Sequence, residues 1–299
     1  MSSPYPVWTI ERPAEEILEQ MGSKAKFWLE WEHPGLADWW LFKFSRENTG
    51  EHWSEKIAAE VAALLEIPHA QVELARCDGR SGCLQRSFVH STPSLSLVHG
   101  NEVLGGTVAG YERTRTFHHN QHTFALMVEA FRMLFPDEFV HGEIMRLASY
   151  LVLDALVVNT DRHHENWGLL LGGHGPSTSI QLAPTYDHAS SLGRELLAEK
   201  REAILREKRV EKYVRGARGA IFLSDREKHG ANPLGLVEQL ARERPQWFQP
   251  TLSRLAAINQ EALLATVDRV PSEVMTGSAK LLAREILCYT STTLCELIR

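Results

Sequence analysis

Asn159-Thr160-Asp161-Arg162-His163-His164-Glu165-Asn166 is the stretch on which the reading of this chain turns. Ahead of it, Ile144, Leu147, Ala148, Leu151, Val152 and Ala155 recur at helical spacing, which predicts a buried helix over residues 144–156 that delivers a polar loop. Behind it, Trp167-Gly168-Leu169-Leu170-Leu171, the turn signal Gly172-Gly173-His174-Gly175-Pro176 and Ile180-Gln181-Leu182-Ala183 predict a hairpin. The hairpin runs into Pro184-Thr185-Tyr186-Asp187. Helix, acidic loop, hairpin and second aspartate stand in the order of the catalytic half of a phosphotransfer site.

Moving the terminal phosphoryl group of ATP requires a carboxylate to orient the attacking hydroxyl, and oxygen ligands that hold magnesium on the phosphates. Asp161 suits the first task, while Asn166 offers an amide oxygen and Asp187 a carboxylate for the second. Arg162 and His163 read as braces of the loop rather than as substrate contacts. Alone, an Asp-Arg-His run equally fits a solvated turn that caps a helix; the hairpin and Asp187 in the right order decide for the catalytic reading.

The whole chain sets bounds on that reading. Its 299 residues are 43% hydrophobic and 23% charged, an ordinary globular composition with room for one large domain or two lobes. A formal net charge of -6 and a pI near 6.2 give no electrostatic footprint for nucleic acid or an anionic membrane. Cys77, Cys83, Cys288 and Cys295 show neither Cys-x-x-Cys spacing nor the density of a disulfide scaffold, which points to a reducing compartment and away from structural zinc. The run from Met1 to Arg12 lacks the basic start and apolar centre of a signal peptide, and the longest apolar run, Leu151 to Val158, is interrupted by Asp154 and too short to span a bilayer. The expectation is a cytoplasmic protein, with export as an effector left open.

In the N-terminal part, residues 14–21 read as a short helical or irregular lead-in. In Gly22-Ser23-Lys24-Ala25-Lys26, backbone N–H groups and two lysines suit a phosphate cradle or, equally, a basic surface turn. Phe27 to Trp31 and Trp39 to Phe44, on either side of His33-Pro34-Gly35, predict two paired aromatic strands. Lys43 lies inside the second, where a lysine is costly unless an anion meets it or its stem snorkels to water from an edge. A strand lysine followed by a helix also suits a kinase's grip on the inner phosphates. The helix is predicted from Ser54 to Glu66, closed by Pro68, and carries Glu55 and Glu60 as candidate partners of Lys43. Strand-like runs Val72 to Ala75 and Leu84 to Val89 flank a turn at Asp78-Gly79-Arg80-Ser81-Gly82. Several strands, one helix and then mostly helices is an α+β pattern, with a small strand-rich lobe over 1–92 ahead of a helical lobe over 93–299. In a kinase the adenine would lie at that boundary, against backbone groups around Phe88 to His90.

Farther along, Thr123 to Phe135 predicts an apolar helix ended by Pro136. The preceding His118-His119-Asn120-Gln121-His122 lacks the carboxylate or cysteine set of a metal site and reads as a polar turn capping that helix. Residues 194–213, dense in Glu, Lys and Arg, read as a solvated helical face; the cluster of Lys208, Arg209, Lys212, Arg215 and Arg218 alternatively suits a phosphorylated or acidic substrate. Residues 233–299 predict amphipathic helices with Leu252, Leu255, Leu263, Leu264, Leu281, Leu282, Ile286 and Leu287 as core.

With Gly22-Ser23-Lys24, Lys43, Glu55, the Asp161-to-Asn166 loop and Pro184-Thr185-Tyr186-Asp187 in view, the sequence resembles the HipA-like kinases. These are bacterial serine/threonine kinases of bilobal protein-kinase-like fold, distantly related to phosphatidylinositol kinases that share an Asp-Arg-His-x-x-Asn loop. The resemblance spans residues 20 to 190 and rests on Asn-Thr-Asp-Arg-His-x-x-Asn together with Leu-Ala-Pro-x-Tyr-Asp. It implies Asp161 as catalytic base, Asn166 and Asp187 as magnesium ligands, and Lys43 as the ATP-phosphate lysine. It also implies Gly22-Ser23-Lys24 as the phosphate-binding loop, Ser23 as its autophosphorylated serine, and Glu55 rather than Glu60 as the helix glutamate. ATP and Mg2+ are the implied cofactors; a protein substrate and an antitoxin or regulatory partner are the implied company, with no direct nucleic-acid contact and no membrane span.

Two departures shape the expectation. Typical HipA toxins carry an additional N-terminal segment, whereas about twenty residues precede Gly22, so a toxin role and an antitoxin partner rest on the resemblance alone. Asp187-His188-Ala189 stands where a phosphatidylinositol kinase carries Asp-Phe-Gly, which favours a protein acceptor over a lipid. The competing readings are a catalytically silent nucleotide-binding scaffold and a small-molecule or phosphoinositide kinase.

Overall fold

Period-two alternation organises the N-terminal part of the chain. The computed structural model describes residues 3–13, 17–18, 25–33, 36–90, 92, 94–115, 118–173 and 179–298. It places the first six strands, β1 (Val7–Ile10), β2 (Ile17–Leu18), β3 (Lys26–His33), β4 (Leu36–Phe44), β5 (Val72–Cys77) and β6 (Arg80–Arg86), in one sheet of order β1-β5-β6-β4-β3-β2. Strands β3 and β4 pair antiparallel with Lys26 opposite Lys43, and β1 runs parallel to β5. On one face Phe27, Leu29, Trp40, Phe42, Phe44 and Leu84 form a closed, largely aromatic cluster. The other face presents Lys43 and its cross-strand neighbour Cys83, with Gln85 two positions on. There Val72 and Cys83 pack on Ala59 of α1 (Glu51–Leu64). Asp78 and Gly79, both at positive φ, close the two-residue turn between β5 and β6, the geometry that lets a hairpin follow the strand twist.

Helix α1 is buried over most of its surface: eleven of its residues, Glu51 to Ala59, Val61 and Ala62, are sequestered from water, while Glu60, Ala63 and Leu64 form an edge that meets solvent in its C-terminal half. A helix covered on most sides belongs largely to the interior rather than to a surface. Ile57, Val61 and Leu65 join a core that continues through the helical part of the molecule. Polar ties reinforce the packing: Ser54 Oγ donates to the Ser191 carbonyl (3.0 Å), and the Gly50 N–H to the Arg194 carbonyl (2.9 Å). On the far side Arg254 donates to the Leu65 carbonyl (2.9 Å).

Beyond the first sheet, β7 (Leu95–His99) leads into α2 (Gly100–Thr107), α3 (Phe124–Leu134) and α4 (Asp137–Val157). Strands β8 (Gly168–Gly172) and β9 (Ser179–Leu182) complete an antiparallel sheet β7-β8-β9. Six helices follow: α5 (Ala198–Arg206), α6 (Val210–Gly216), α7 (Pro233–Glu243), α8 (Pro245–Ala257), α9 (Gln260–Asp268) and α10 (Gly277–Cys295). The predicted apolar helix is the C-terminal part of α4, whose Leu147, Ala148, Leu151, Val152 and Ala155 are buried against α7, α8 and α10. Among the described residues no helix is long and apolar enough to cross a membrane.

Several expectations are corrected. Ile17 and Leu18 of the lead-in are extended and pair with β3 rather than forming helix. Strand β6 stops at Arg86, short of Val89, because Ser87 Oγ accepts the N–H groups of both Val89 and His90 and turns the chain. Helix α1 starts at Glu51 instead of Ser54. Leu281 lies on the outer face of α10 and is 48% exposed, while Leu282, Ile286 and Leu287 are buried as expected.

Candidate active site

Helix α4 ends by turning Val158 into the left-handed region (φ 55), a conformation a β-branched residue adopts at a cost of about 1–2 kcal/mol. The turn leaves Asp154 as an anchor beneath the loop. Arg162 reaches back and grips it through two parallel bonds, Nε to Oδ2 and Nη2 to Oδ1, both 2.8 Å. Asn159 Nδ2 also donates to Asp154 Oδ1, and Asn159 Oδ1 accepts the Asp161 N–H. Burial works against the charge on Arg162, but the Asp154 carboxylate outweighs it and the guanidinium pKa is raised. The expected brace is thus a buried ion pair that fixes the backbone on which Asp161 stands.

The same guanidinium joins the loop to the hairpin. Arg162 Nη1 donates to the Asn166 carbonyl and to the Tyr186 carbonyl (3.0 Å), so the backbones leading to Asn166 and Asp187 meet on one nitrogen. Tyr186 adds a second tie, donating its hydroxyl to the Glu165 carbonyl (2.9 Å). Asn166 Nδ2 donates to the Asp161 carbonyl at 2.6 Å, which fixes the amide orientation and turns Oδ1 to the opposite side. Asp187 itself has φ 56, a left-handed conformation that aspartate tolerates better than most residues.

From the sheet, Lys43 Nζ comes within 3.8 Å of Asp187 Oδ1 and donates to Gln85 Oε1 at 2.7 Å. Burial opposes its charge, yet Asp187 and then Glu55 more than compensate, and the lysine pKa is raised. Between the two glutamate candidates the surroundings differ. Glu60 pairs with Lys56 (2.7 Å) and lies 3.7 Å from Arg269, whereas Glu55 is fully buried and approaches His188 Nδ1 to 3.9 Å. Burial and then the Arg162 charge push His188 well below an ordinary imidazole, so that contact is not an ion pair at neutral pH. Gln85 is a participant that the sequence reading missed; its position in β6, on the same face as Lys43, was the available signal.

Gly22, Ser23 and Lys24 lie outside the described residues. Phe88 and His90 follow the turn built on Ser87, with the Phe88 ring 5.8 Å from Tyr186 and the His90 ring 4.2 Å from Trp28 and 5.5 Å from Trp39. The donor set fits a hard cation: an amide oxygen from Asn166 and a carboxylate from Asp187, on segments tied to the same guanidinium, are the ligands magnesium favours.

On the other side of Asp161 lies a cavity of about 210 Å³, lined from the loop by Thr160, Asp161, His163 and His164. The polar turn predicted at 118–122 also lines it. Thr123, not a histidine, caps α3 by accepting the Leu126 N–H. His122 is locked as a neutral tautomer, with Nδ1–H donating to the Ala220 carbonyl (2.9 Å) and Nε2 accepting from Trp167 Nε1 (3.1 Å). Burial pushes His122 down to about 3 and His164 to about 4. The segment 218–230 closes the wall, held by the bond from the Phe222 N–H to the His122 carbonyl.

Strand lysine, buried helix glutamate, braced acidic loop and returning aspartate define the protein-kinase-like class. The description of the HipA-like C-terminal domain matches residues 19–247, and the chain belongs to that family. No curated protein matches its sequence. The fold is similar to the Helicobacter pylori proinflammatory kinase CtkA, with a TM-score of 0.76 and 16% identity over 98% of this chain and 97% of that one. It is also similar to a chain of the HipA, HipB and operator DNA complex of a Shewanella oneidensis MR-1 toxin–antitoxin system. There the TM-score is 0.57 at 13% identity, over 96% of this chain and 65% of that one.

Proposed function

We propose that the chain is a kinase that transfers the terminal phosphoryl group of ATP, with magnesium, to a serine or threonine of a protein. The observation that carries this reading is the approach of Lys43 to Asp187 at 3.8 Å, across from a loop whose Asn166 is tied to the same segment through Arg162. In this reading Asp161 accepts a hydrogen bond from the acceptor hydroxyl and aims its oxygen at the phosphorus. Lys43 holds the inner phosphates, with Gln85 fixing its ammonium group and the Glu55 charge supporting it. Asn166 and Asp187 hold the metal, and bound magnesium supplies neutralisation of charge on the phosphates. Gly22-Ser23-Lys24 covers the phosphates, Ser23 is open to autophosphorylation, and the backbone around Phe88 and His90 receives the adenine. Residues 1–92 and 93–299 act as the two lobes of this machine, working in the cytoplasm. A protein partner, an antitoxin or a regulator, belongs to the same proposal, as HipB accompanies HipA in the Shewanella toxin–antitoxin complex.

The test is transfer from labelled ATP to the chain itself and to a lysate of its host. Asp161→Ala and Asp187→Ala are each expected to abolish the signal while circular dichroism stays native. Undiminished transfer in both variants would defeat the proposal.

A further inference from the structure

Six of the fourteen histidines, His118, His119, His122, His163, His164 and His229, line one cavity together with Asp161. Such a concentration is more than a capping turn needs, and the hydrogen bonds say what each ring offers. His163 Nδ1 accepts the Glu165 N–H (3.2 Å), so in its neutral form the proton sits on Nε2. His119 Nε2 faces the Glu112 carbonyl (2.8 Å) and must donate to it. His164 Nδ1 is engaged by the Tyr111 hydroxyl (2.9 Å), while its Nε2 is buried and meets no hydrogen-bonding partner among the described residues. The His164 side chain is 1% exposed, so this is a polar atom withheld from water at a cavity wall.

Charge completes the picture. Of the basic cluster noted in the sequence, Arg209 is paired with Glu207 and Arg215 with Glu238. Arg218 is exposed at the cavity mouth, and no carboxylate is within ion-pair distance of it among the described residues. Among the described residues, the cavity wall carries no acidic side chain apart from Asp161.

We propose that this cavity receives an anionic side chain of the acceptor protein, a carboxylate or a phosphate close to the hydroxyl that is phosphorylated, bound by Arg218 and by the Nε2 edge of His163. The inference rests on the kinase reading for its orientation: Asp161, at the edge of the cavity, faces the hydroxyl while the neighbouring anion enters beside it. It names a substrate class, seryl or threonyl residues flanked by negative charge.

Three otherwise identical peptides test it, with the residue beside the acceptor serine set to alanine, glutamate or phosphoserine. Each is assayed for transfer from labelled ATP, and for binding without turnover by anisotropy of a fluorescein-labelled copy. The anionic peptides are expected to bind about ten-fold more tightly than the alanine peptide, the effect of one charge-assisted contact. That preference is expected to collapse toward unity in Arg218→Glu and to return in part in Arg218→Lys. Arg218 is exposed, so neither change disturbs the core. Transfer to all three peptides with no anionic preference, or with a preference unchanged in Arg218→Glu, overturns the subsite and leaves the kinase standing. An Arg218-dependent preference in binding with no transfer to any protein keeps the subsite and sinks the kinase reading. Separate glutamate and phosphoserine arms show which anion is preferred.

Discussion

Arg162 and Asp154 face each other through two parallel 2.8 Å hydrogen bonds, both side chains about 4% exposed. The pair lies beneath the loop that bears Asp161, and the remaining guanidinium nitrogen binds the carbonyls of Asn166 and Tyr186. One buried residue therefore sets the relative position of three candidate catalytic groups.

Arg162→Ala is expected to destabilise the fold by about 3–5 kcal/mol, because it strands a buried carboxylate. Arg162→Lys cannot supply the planar fork and is expected to lose at least about ten-fold in kcat while recovering part of the stability. Urea denaturation and transfer from labelled ATP, run on both variants, check the pair of outcomes; a lysine variant with full activity would show that the fork is dispensable.

Gln85→Leu removes the oxygen that receives the Lys43 ammonium at 2.7 Å. A hydrogen bond to a charged group contributes about 1.5–3 kcal/mol, so stability is expected to fall by that order. KM for ATP is expected to rise several-fold, since the ammonium loses the contact that aims it. Steady-state kinetics with varied ATP decide this, and an unchanged KM would place Gln85 outside the phosphate grip.

Gly100 opens α2 beneath the 159–166 loop, with its N–H donating to the Trp167 carbonyl. A Cβ there would lie 2.2 Å from the Trp167 ring and 2.6 Å from the His164 carbonyl. Gly100→Ala is expected to cost about 1–3 kcal/mol and to depress transfer, although no reacting group is altered. Thermal melts and activity on the same preparation test it.

Burial holds His122 down to about 3 and, together with the Arg76 charge, His52 down to about 4, against an ordinary 6.5. Both are bases whose folded values are depressed, so the unfolded chain binds the extra protons as pH falls. The stability they contribute is complete above pH 6.5 and is lost as pH falls from there to about 4 for His52 and about 3 for His122, at up to about 1.4 kcal/mol per pH unit for each histidine. Urea midpoints measured from pH 7.5 to 5 should fall steeply, and His122→Asn should flatten the slope even as it lowers stability at pH 7.5. A midpoint indifferent to pH in the wild type contradicts the assignment.

What could be read from the sequence was whatever shows itself locally. The α4 helix, the polar loop and the hairpin are written in periodicity and turn residues, and Lys43 stood out because a lysine in an aromatic strand needs a reason. Contacts between distant segments left weaker traces. The parallel pairing of β1 with β5 joins strands more than sixty residues apart, and Leu95 to His99 becomes a strand only by meeting β8. The histidines at 118–122 looked like a turn because nothing nearby in sequence reveals that the 218–230 segment folds over them. Ser87 ended a strand early through a side-chain bond that no propensity scale registers.

The burial of α1 carries a last implication. In an enzyme switched by swinging its glutamate-bearing helix outward, that helix needs somewhere to go. Displacing α1 here would tear eleven sequestered residues from their neighbours and break its ties to Ser191, Arg194 and Arg254, a penalty on the scale of unfolding itself. On the proposed kinase reading, α1 is therefore held in place by this packing, and control of the proposed site falls to what reaches it.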